Sequence, residues 1–457
     1  MTSPKPEDLH SPSSDPTSFD SASSTSSRTP FPEGTAAVGA GLFIAGLSAY
    51  AFFKVGQQAL GQDGFKPIVA MWFVAFTFAP GFFLPLEQEV SRAIAHRRAL
   101  GQGGGPVVRR VIPLALAVVA TLAIITSVVN GSITKHLFEG DGVVTLCLAL
   151  TLATYAPFHL ARGICSGSGR FGMYGIIIGT DGAARVLGCA ALWLAGVDTV
   201  GAYALVIALS PLVGVLVVGM RGGLRSENGP SASWSEITPN LSWLLLGSLF
   251  SSALVNAGPI TVDLLGTNSS AAVVTQFGNA VIFARIPLFL FQAVQAALLP
   301  RLARLAAKGD LDEFRNGLRR LLILIGAVGF IGVVATYAFG PQVLNFVYEG
   351  RIDRRTLTML ALSSALYMVA VAIAQAVIAL HGHARAAIGW ALGFLTFVIV
   401  AWLSSSDLYL RVELALVGSS LVALASFTMA LRLLLQRGAT PDTDSVLDAF
   451  SERPLDS

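Results

Sequence analysis

Apolar segments of about twenty residues recur along the whole chain, for example at 111–131 and 199–220. A helix of that length crosses the ~30 Å hydrocarbon core of a membrane. Only 12% of the residues are charged, where a soluble domain has about 25%. The pattern predicts an all-α polytopic membrane protein with about 12 transmembrane helices, the ninth of them at 318–340.

Basic residues are distributed unevenly between the segments that join these helices. With the N-terminus inside, 21 of the 30 Lys and Arg residues fall in inner segments and seven in outer ones, and Arg185 and Arg285 lie within the membrane. Loops rich in Lys and Arg stay in the cytoplasm. We therefore expect a multi-pass protein of the cell inner (plasma) membrane with both termini cytoplasmic. The net charge of +3 reflects this asymmetry, and we expect no nucleic-acid partner.

The two halves of the chain share an internal repeat. Arg109-Arg110 at the third span and Arg319-Arg320 at the ninth are separated by 210 residues, and the stretches 137–140 and 347–350 have the same offset. Two copies of a six-helix unit, each with an even number of spans, have the same orientation and enclose a central cavity. This predicts a parallel repeat with the following organisation: a disordered cytoplasmic tail at 1–33, an N-terminal lobe at 34–220, a cytoplasmic linker at 221–239, a C-terminal lobe at 240–437 and a cytoplasmic tail at 438–457.

Two stretches of the C-terminal half resemble known transporters. They are LLPRLARLAAKGDLDEFRNGLRRLLILIGAVG at 298–329 and FGPQVLNFVYEGR at 339–351. With the span pattern they resemble the MOP (multidrug/oligosaccharidyl-lipid/polysaccharide) exporter superfamily, and within it the polysaccharide flippase branch. The resemblance implies two lobes in a V, alternating access, and a polyprenyl-pyrophosphate-linked glycan flipped from the cytoplasmic to the outer leaflet for cell-envelope polysaccharide biosynthesis. With about 12 predicted helices the chain departs from the lipid II flippase branch, which has two further C-terminal helices, so we do not expect a peptidoglycan precursor as the cargo.

Arg285 lies within the eighth apolar span, about 22 Å of helix from its start. An arginine at that depth costs at least ~2.5–3.5 kcal/mol and should face protein or a wet cavity. Its guanidinium could bind a pyrophosphate in bidentate fashion, or be a structural group bonded to helix carbonyls or to an acidic neighbour. Pro287 should open the helix beside it. Three polar residues of the same helix, predicted to share its substrate-binding face, are Asn279, Gln292 and Gln295.

Asp181 and Arg185 lie four residues apart in the fifth span, on one helix face. One interpretation is mutual neutralisation within the membrane. In the other, Arg185 contacts the anionic substrate and Asp181 changes its partner or its protonation during transport.

The second span ends in PLEQEVSRAIAHRR, at 85–98. We expect Glu89 to pair with Arg92 at i,i+3, which leaves Glu87 as a gating or coupling carboxylate or as an ordinary solvated helix end. The basic run at 96–98 should meet anionic membrane lipids.

Other classes of function remain open. An enzyme is disfavoured because the outer loops are short and no phosphate-binding loop occurs, so we expect no catalytic residues. We also expect no metal and no cofactor, with transport driven by a proton or sodium gradient or by the membrane potential. A cation-coupled multidrug exporter of the same superfamily would need cavity carboxylates, whereas the charge within the membrane sums to +1. A transport-silent scaffold for envelope enzymes is a third alternative. Further partners would be a polysaccharide polymerase or glycosyltransferases.

Overall fold

The computed structural model describes residues 35–238, 240–266, 271–288, 291, 305, 310–348 and 352–437. The helices assigned in these residues are α1 Thr35–Gly64, α2 Lys66–Ala99, α3 Gly105–Val128, α4 Asn130–His136, α5 Gly142–Gly167, α6 Phe171–Leu194, α7 Val200–Met220, α8 Trp234–Ile237, α9 Leu241–Leu265, α10 Ala271–Ala284, α11 Leu311–Tyr348, α12 Arg354–Ala379, α13 His383–Leu403 and α14 Leu408–Arg437.

Twelve helices of the described residues are long and apolar enough to cross a membrane. The predicted all-α polytopic architecture is thereby confirmed. The ninth span shows where hydropathy alone falls short, because α11 extends well beyond 318–340 at both ends. Asp310 accepts a hydrogen bond from the Glu313 backbone N–H at 3.1 Å, which satisfies a free donor at the start of this helix. The polar residues at the start of α11 are part of the helix but lie outside the apolar stretch that would cross the hydrocarbon core.

The two halves of the chain pack in the same way. In the N-lobe (α1–α7), α1 packs on α6 and α5 packs on α2 and α7; in the C-lobe (α9–α14), α9 packs on α13 and α12 packs on α10 and α14. The remaining equivalent pairs are α6 with α7 and α13 with α14, and α3 with α5 and α11 with α12. The third and ninth spans, which carry the paired arginines, are thus structural counterparts. The predicted parallel repeat of two six-helix lobes is confirmed.

The most extensive contacts between the lobes are made by two equivalent helix pairs, α2 with α9 and α1 with α10. We call the face at which α1 begins and α2 ends the basic face, and the opposite one the distal face. On the distal half, the side chains of Gln57 and Asn279 exchange two hydrogen bonds of 2.6 and 3.1 Å. Lys66 Nζ lies 3.0 Å from Asp263 Oδ1, also across the lobe interface. The lobes are therefore closed against each other on the distal half.

Candidate functional site

Arg285 lies where the eighth spanning segment departs from α-helical geometry. Helix α10 ends at Ala284, and the Arg285 backbone N–H bonds to the carbonyl of Ile282, three residues back, at 3.1 Å. Pro287 follows two residues later, and its ring is incompatible with an uninterrupted helical turn. The predicted opening of the helix beside Arg285 is thus present.

The Arg285 guanidinium is bonded to neutral acceptors of α9. Nη1 donates to Asn256 Oδ1 at 3.1 Å, Nη2 donates to the Val255 carbonyl, and the group lies 5.3 Å from the centroid of the Phe73 ring. No carboxylate among the described residues forms an ion pair with it. Hydrogen bonds and a ring face stabilise a cation but leave its net charge uncompensated. This arginine can therefore still attract an anion.

Arg285 borders a narrow cleft of about 30 Å³ between α9, α10, α12 and α14. Val255 and Tyr367 line this cleft and also a larger cavity of about 290 Å³, which we call the C-lobe cavity. Gln88 near the end of α2, Trp243 near the start of α9 and His383 at the start of α13 place this cavity on the basic half. Its lining contains no Asp, Glu, Lys or Arg among the described residues. The lining also includes Ser248, Ser251, Ser252, Gln375 and Trp390.

Asn279 was predicted to share a substrate-binding face with Arg285, but its side chain contacts the opposite lobe instead. Its side-chain amide is buried and fully engaged with Gln57 of the opposite lobe. In this conformation it therefore serves the closed lobe interface. Gln292 and Gln295, the other two predicted members of the polar face, lie outside the described residues.

Arg185 forms the predicted ion pair with Asp181, with Nη2 2.6 Å from Oδ2. The same nitrogen donates to the Tyr155 hydroxyl at 3.2 Å, and Ser210 Oγ donates to the other Asp181 oxygen at 2.8 Å. Both charged side chains are buried, and the guanidinium lies 5.0 Å from the Trp72 ring centroid. The charge of this arginine is thus compensated within the N-lobe, as mutual neutralisation requires.

Glu87 is not a solvated helix end, and that interpretation is wrong. Only 5% of the residue is exposed, and it lies at the centre of a polar network between α2, α5 and α6. Oε2 lies 2.7 Å from His159 Nδ1, and Oε1 lies 3.1 Å from both Arg162 Nη2 and the Tyr174 hydroxyl. Arg162 also donates to that hydroxyl at 2.6 Å. Both oxygens of this buried carboxylate therefore have partners on other helices.

Sequence reasoning overlooked His159, Arg162 and Tyr174. A signal was present, because His159 and Arg162 are spaced i,i+3 near the end of an apolar span and must share one helix face. The count of basic residues assigned Arg162 to an inner segment by its position along the chain. Position alone does not show where a side chain points, so the network around Glu87 was missed.

Glu89 and Arg92 form the predicted i,i+3 pair, with Arg92 Nη2 2.7 Å from Glu89 Oε2. Arg92 also donates to the Glu236 backbone carbonyl. Arg97 is buried against the linker, where Nε lies 2.5 Å from Glu236 Oε1 and Nη1 bonds to the Pro230 carbonyl. Of the basic run at 96–98, only His96 and Arg98 are exposed towards the surroundings.

Metal binding has no obvious site in the described part of the chain, where no group of three or more His, Cys, Asp or Glu side chains is arranged to hold an ion.

No protein-family model matches the chain. It is similar to uncharacterized proteins of Mycobacterium tuberculosis and Mycobacterium bovis, each 24% identical over 379 residues that cover 77% of this chain and 79% of the relative. These relatives support a shared architecture over most of the length but carry no assigned activity.

Solved structures identify the fold. An outward-facing multidrug resistance MATE family transporter of the MOP superfamily aligns with a TM-score of 0.69 at 14% identity, covering 88% of this chain and 95% of that one. An inward-facing structure of such a transporter aligns at 0.61 with 14% identity, covering 89% and 96%. A mutant of the Vibrio cholerae MATE transporter VcmN aligns at 0.65 with 16% identity, covering 89% and 100%.

The chain is a multi-pass membrane protein with a transporter fold. That fold is the one of the MATE transporters of the MOP superfamily, which confirms the superfamily resemblance at the level of architecture. Because both transport conformations align, the conformation of this chain is assigned from its own lobe contacts, which are closed on the distal half.

Proposed function

We propose that the protein is a flippase for a polyprenyl-pyrophosphate-linked glycan, with Arg285 as the main contact to the pyrophosphate. The observation on which this rests is the uncompensated charge of Arg285 at a helix break within the membrane, beside a cavity. Burying a lone cation is costly, so a site that retains one should gain an anionic ligand in its working cycle. A guanidinium suits a pyrophosphate because it stays charged and can bind two oxygens at once.

The proposed direction of transport follows from the basic face. We propose that this face and both termini are cytoplasmic, because Lys and Arg are concentrated in the segments on that side. We also propose that the protein lies in the bacterial inner membrane. The C-lobe cavity lies on this half while the lobes are joined on the distal half. This conformation would then receive the lipid headgroup from the cytoplasmic leaflet. Release outside requires separation of Gln57 from Asn279 and of Lys66 from Asp263.

For energy coupling we favour Glu87 over Asp181 as the carboxylate that changes protonation. Glu87 shares a hydrogen bond with His159, and histidine is the side chain that most readily exchanges a proton near neutral pH. Asp181 is bonded instead to Arg185 and Ser210, neither of which exchanges a proton in this range. Glu89 and Arg92, joined to each other and to the linker, are proposed as gating residues of the basic face. His96 and Arg98 remain the proposed contacts to anionic lipids.

A multidrug exporter of cations is the second candidate, because the MATE structures that share the fold are described as multidrug transporters. A cavity for lipophilic cations should present a carboxylate. The C-lobe cavity has none among the described residues, and the nearest centrally placed charge we find is a cation. The chemistry of the cavity therefore favours an anionic lipid over a cationic drug.

The test is flipping of a fluorescent polyprenyl-pyrophosphate glycan in vesicles reconstituted with the full chain. We expect Arg285→Gln to lower the rate at least about tenfold, equivalent to about 1.4 kcal/mol. Arg320→Gln removes an exposed charge from α11 of the same lobe and should leave the rate unchanged. Unimpaired flipping by Arg285→Gln would overturn the assignment of Arg285 to the pyrophosphate. Efflux of an organic cation with no flipping would favour the exporter.

A further inference from the structure

The C-lobe cavity has a chemical character that the pyrophosphate contact does not explain. Its aromatic walls include Trp243, Tyr367 and Trp390, and the rings of the last two lie 5.3 Å apart. The lining carries no formal charge among the described residues except through His383. A purely lipid-binding cavity would not need so many polar groups as this one has. The hydroxyl and amide groups of the lining belong to Ser248, Ser251, Ser252, Gln88 and Gln375.

Several of these polar groups lack a partner within the described part of the protein. The Trp243 indole N–H is buried and has no hydrogen-bond acceptor among the described residues. Gln88 is exposed and Gln375 is half-buried. Neither side-chain amide is hydrogen-bonded to a described residue, so each offers both donors and an acceptor. A buried donor without an acceptor is costly, and in a binding site it marks a place where a ligand supplies the missing group.

Other groups in the cavity are already oriented. Tyr367 OH and Ser251 Oγ are 2.8 Å apart, and Ser248 Oγ donates to the Pro80 carbonyl at 3.0 Å. Each hydroxyl oxygen keeps a lone pair that can accept a hydrogen bond. The cavity thus combines aromatic side chains with hydroxyl groups held by hydrogen bonds.

We infer that the C-lobe cavity is a subsite for uncharged sugar residues of the transported lipid, those attached next to the pyrophosphate. A sugar ring has apolar C–H faces that fit aromatic side chains and a rim of hydroxyls that both donate and accept. This inference rests on the proposed function and adds to it the kind of sugar that the site accepts. A sugar carboxylate would meet no Lys or Arg in the described lining and would lose hydration on entry.

The position of the cavity agrees with this assignment. Val255 and Tyr367 line both the cavity and the cleft that Arg285 borders, so a group bound beside Arg285 is adjacent to the cavity. The volume of about 290 Å³ lies at the lower end of the range for small-molecule sites, roughly 300–1,000 Å³. We therefore assign one or two sugar rings to it, with any further sugars outside.

Three water-soluble probes test the inference by calorimetry on the full chain in nanodiscs. They are geranyl pyrophosphate, the same lipid carrying N-acetylglucosamine, and the same lipid carrying glucuronic acid. We expect the N-acetylglucosamine probe to bind about tenfold more tightly than either of the others, as one or two additional good hydrogen bonds allow. This comparison uses the unaltered protein and does not depend on the folding of any variant.

Two variants locate the effect. Trp243→Phe keeps a ring and removes the indole N–H, and Gln375→Leu keeps the bulk and removes the amide. Each should weaken binding of the N-acetylglucosamine probe by roughly fivefold and leave binding of geranyl pyrophosphate unchanged. Trp402→Phe, at a 71% exposed tryptophan of the same lobe, is the matched control and should change neither.

The possible results separate the inference from the proposed function. Equal affinity for all three probes, or equally tight binding of the glucuronic acid probe, would overturn the uncharged-sugar subsite while the pyrophosphate site stands. Unchanged sugar preference in both variants would also overturn it. Failure of all three probes to bind would overturn the proposed function, and the subsite with it.

Discussion

The two arginines within the membrane have opposite electrostatic surroundings. Arg185 of the N-lobe is bonded to Asp181 at 2.6 Å, whereas Arg285 of the C-lobe is bonded only to an amide oxygen and a backbone carbonyl among the described residues. Both lie near an aromatic ring of α2, at 5.0 Å from Trp72 and 5.3 Å from Phe73. Depth in the membrane therefore does not by itself indicate function. The paired arginine is explained by the fold, and the unpaired one requires something more.

The largest effect is expected on breaking the N-lobe pair. Asp181→Asn keeps the shape but leaves Arg185 buried without a counter-charge, which costs about 3–5 kcal/mol. Unfolding followed by tryptophan fluorescence in detergent should show this loss. The double variant Asp181→Asn/Arg185→Gln removes both charges and should recover most of it. Equal stability of the single variant and the parent would mean that the pair is not what stabilises Arg185.

Separation of the lobes provides the next test. Gln57→Leu leaves the buried Asn279 amide without its partner and should destabilise the present conformation by about 1–3 kcal/mol. Because Asn279 and Arg285 share the eighth span, this change should also shift the position of Arg285 relative to the N-lobe. Distances between spin labels on the distal ends of α1 and α10 should increase. Gln436→Leu, on the exposed end of α14, is the control, and an unchanged distance would contradict the role of this contact.

The difference between the two arginines can be removed by giving Arg285 a carboxylate partner. Asn256→Asp places an anion next to the guanidinium and makes its surroundings similar to those of Arg185. We expect geranyl pyrophosphate to bind about tenfold more weakly, since the ligand must now compete with an internal anion. Asn256→Ser, which keeps an oxygen but adds no charge, should weaken binding much less. Unaltered binding by Asn256→Asp would separate Arg285 from the ligand.

The smallest effect concerns a third arginine, which is exposed. Arg355 lies 3.5 Å from Asp407 Oδ2 on the distal face, where both side chains are about half exposed, and its Nε lies 3.3 Å from the buried Glu413 carboxylate. The backbone N–H of Leu410 and the charge of Arg355 lower the pKa of Asp407 from its usual value near 3.8. A lowered folded pKa contributes stability that is present above the unfolded pKa and is lost as the pH falls below about 4 through the folded value.

Because solvent screens this pair, its contribution should be under about 1 kcal/mol. Asp407→Asn keeps an oxygen for the Leu410 N–H and leaves the contact of Arg355 with Glu413 in place. It should therefore reduce the pH dependence of the unfolding midpoint below about pH 4 only slightly relative to the parent. A change as large as that of Asp181→Asn would contradict the distinction between exposed and buried pairs.

Much of the architecture could be predicted from hydropathy and spacing. Twelve spans, two equivalent lobes and the contact of Asp181 with Arg185 follow from periodicities within one segment or its repeat. The start of α11 could not be predicted from apolar length, because the helix begins where Asp310 caps it and not where the apolar residues begin.

The candidate site was less accessible to sequence reasoning. Arg285 was found because a charge in an apolar span is conspicuous. The acceptors of Arg285 lie on α9, and Tyr367, which lines both the cleft and the C-lobe cavity, lies on α12. Which helices pack together cannot be read from the sequence pattern of one segment. The same holds for Glu87, whose partners lie on α5 and α6. Its burial follows from the close packing of α2 with α5, which a view of α2 as an isolated helix end misses.

The most direct test of the central claim is native mass spectrometry of the purified protein beside its Arg285→Gln and Arg320→Gln variants. We predict that a polyprenyl-pyrophosphate glycan co-purifies with the parent and with Arg320→Gln and is lost from Arg285→Gln. The mass of that lipid would also identify its sugars. Equal retention of the lipid by all three proteins would contradict the role of Arg285, and its absence from all three would contradict the flippase itself.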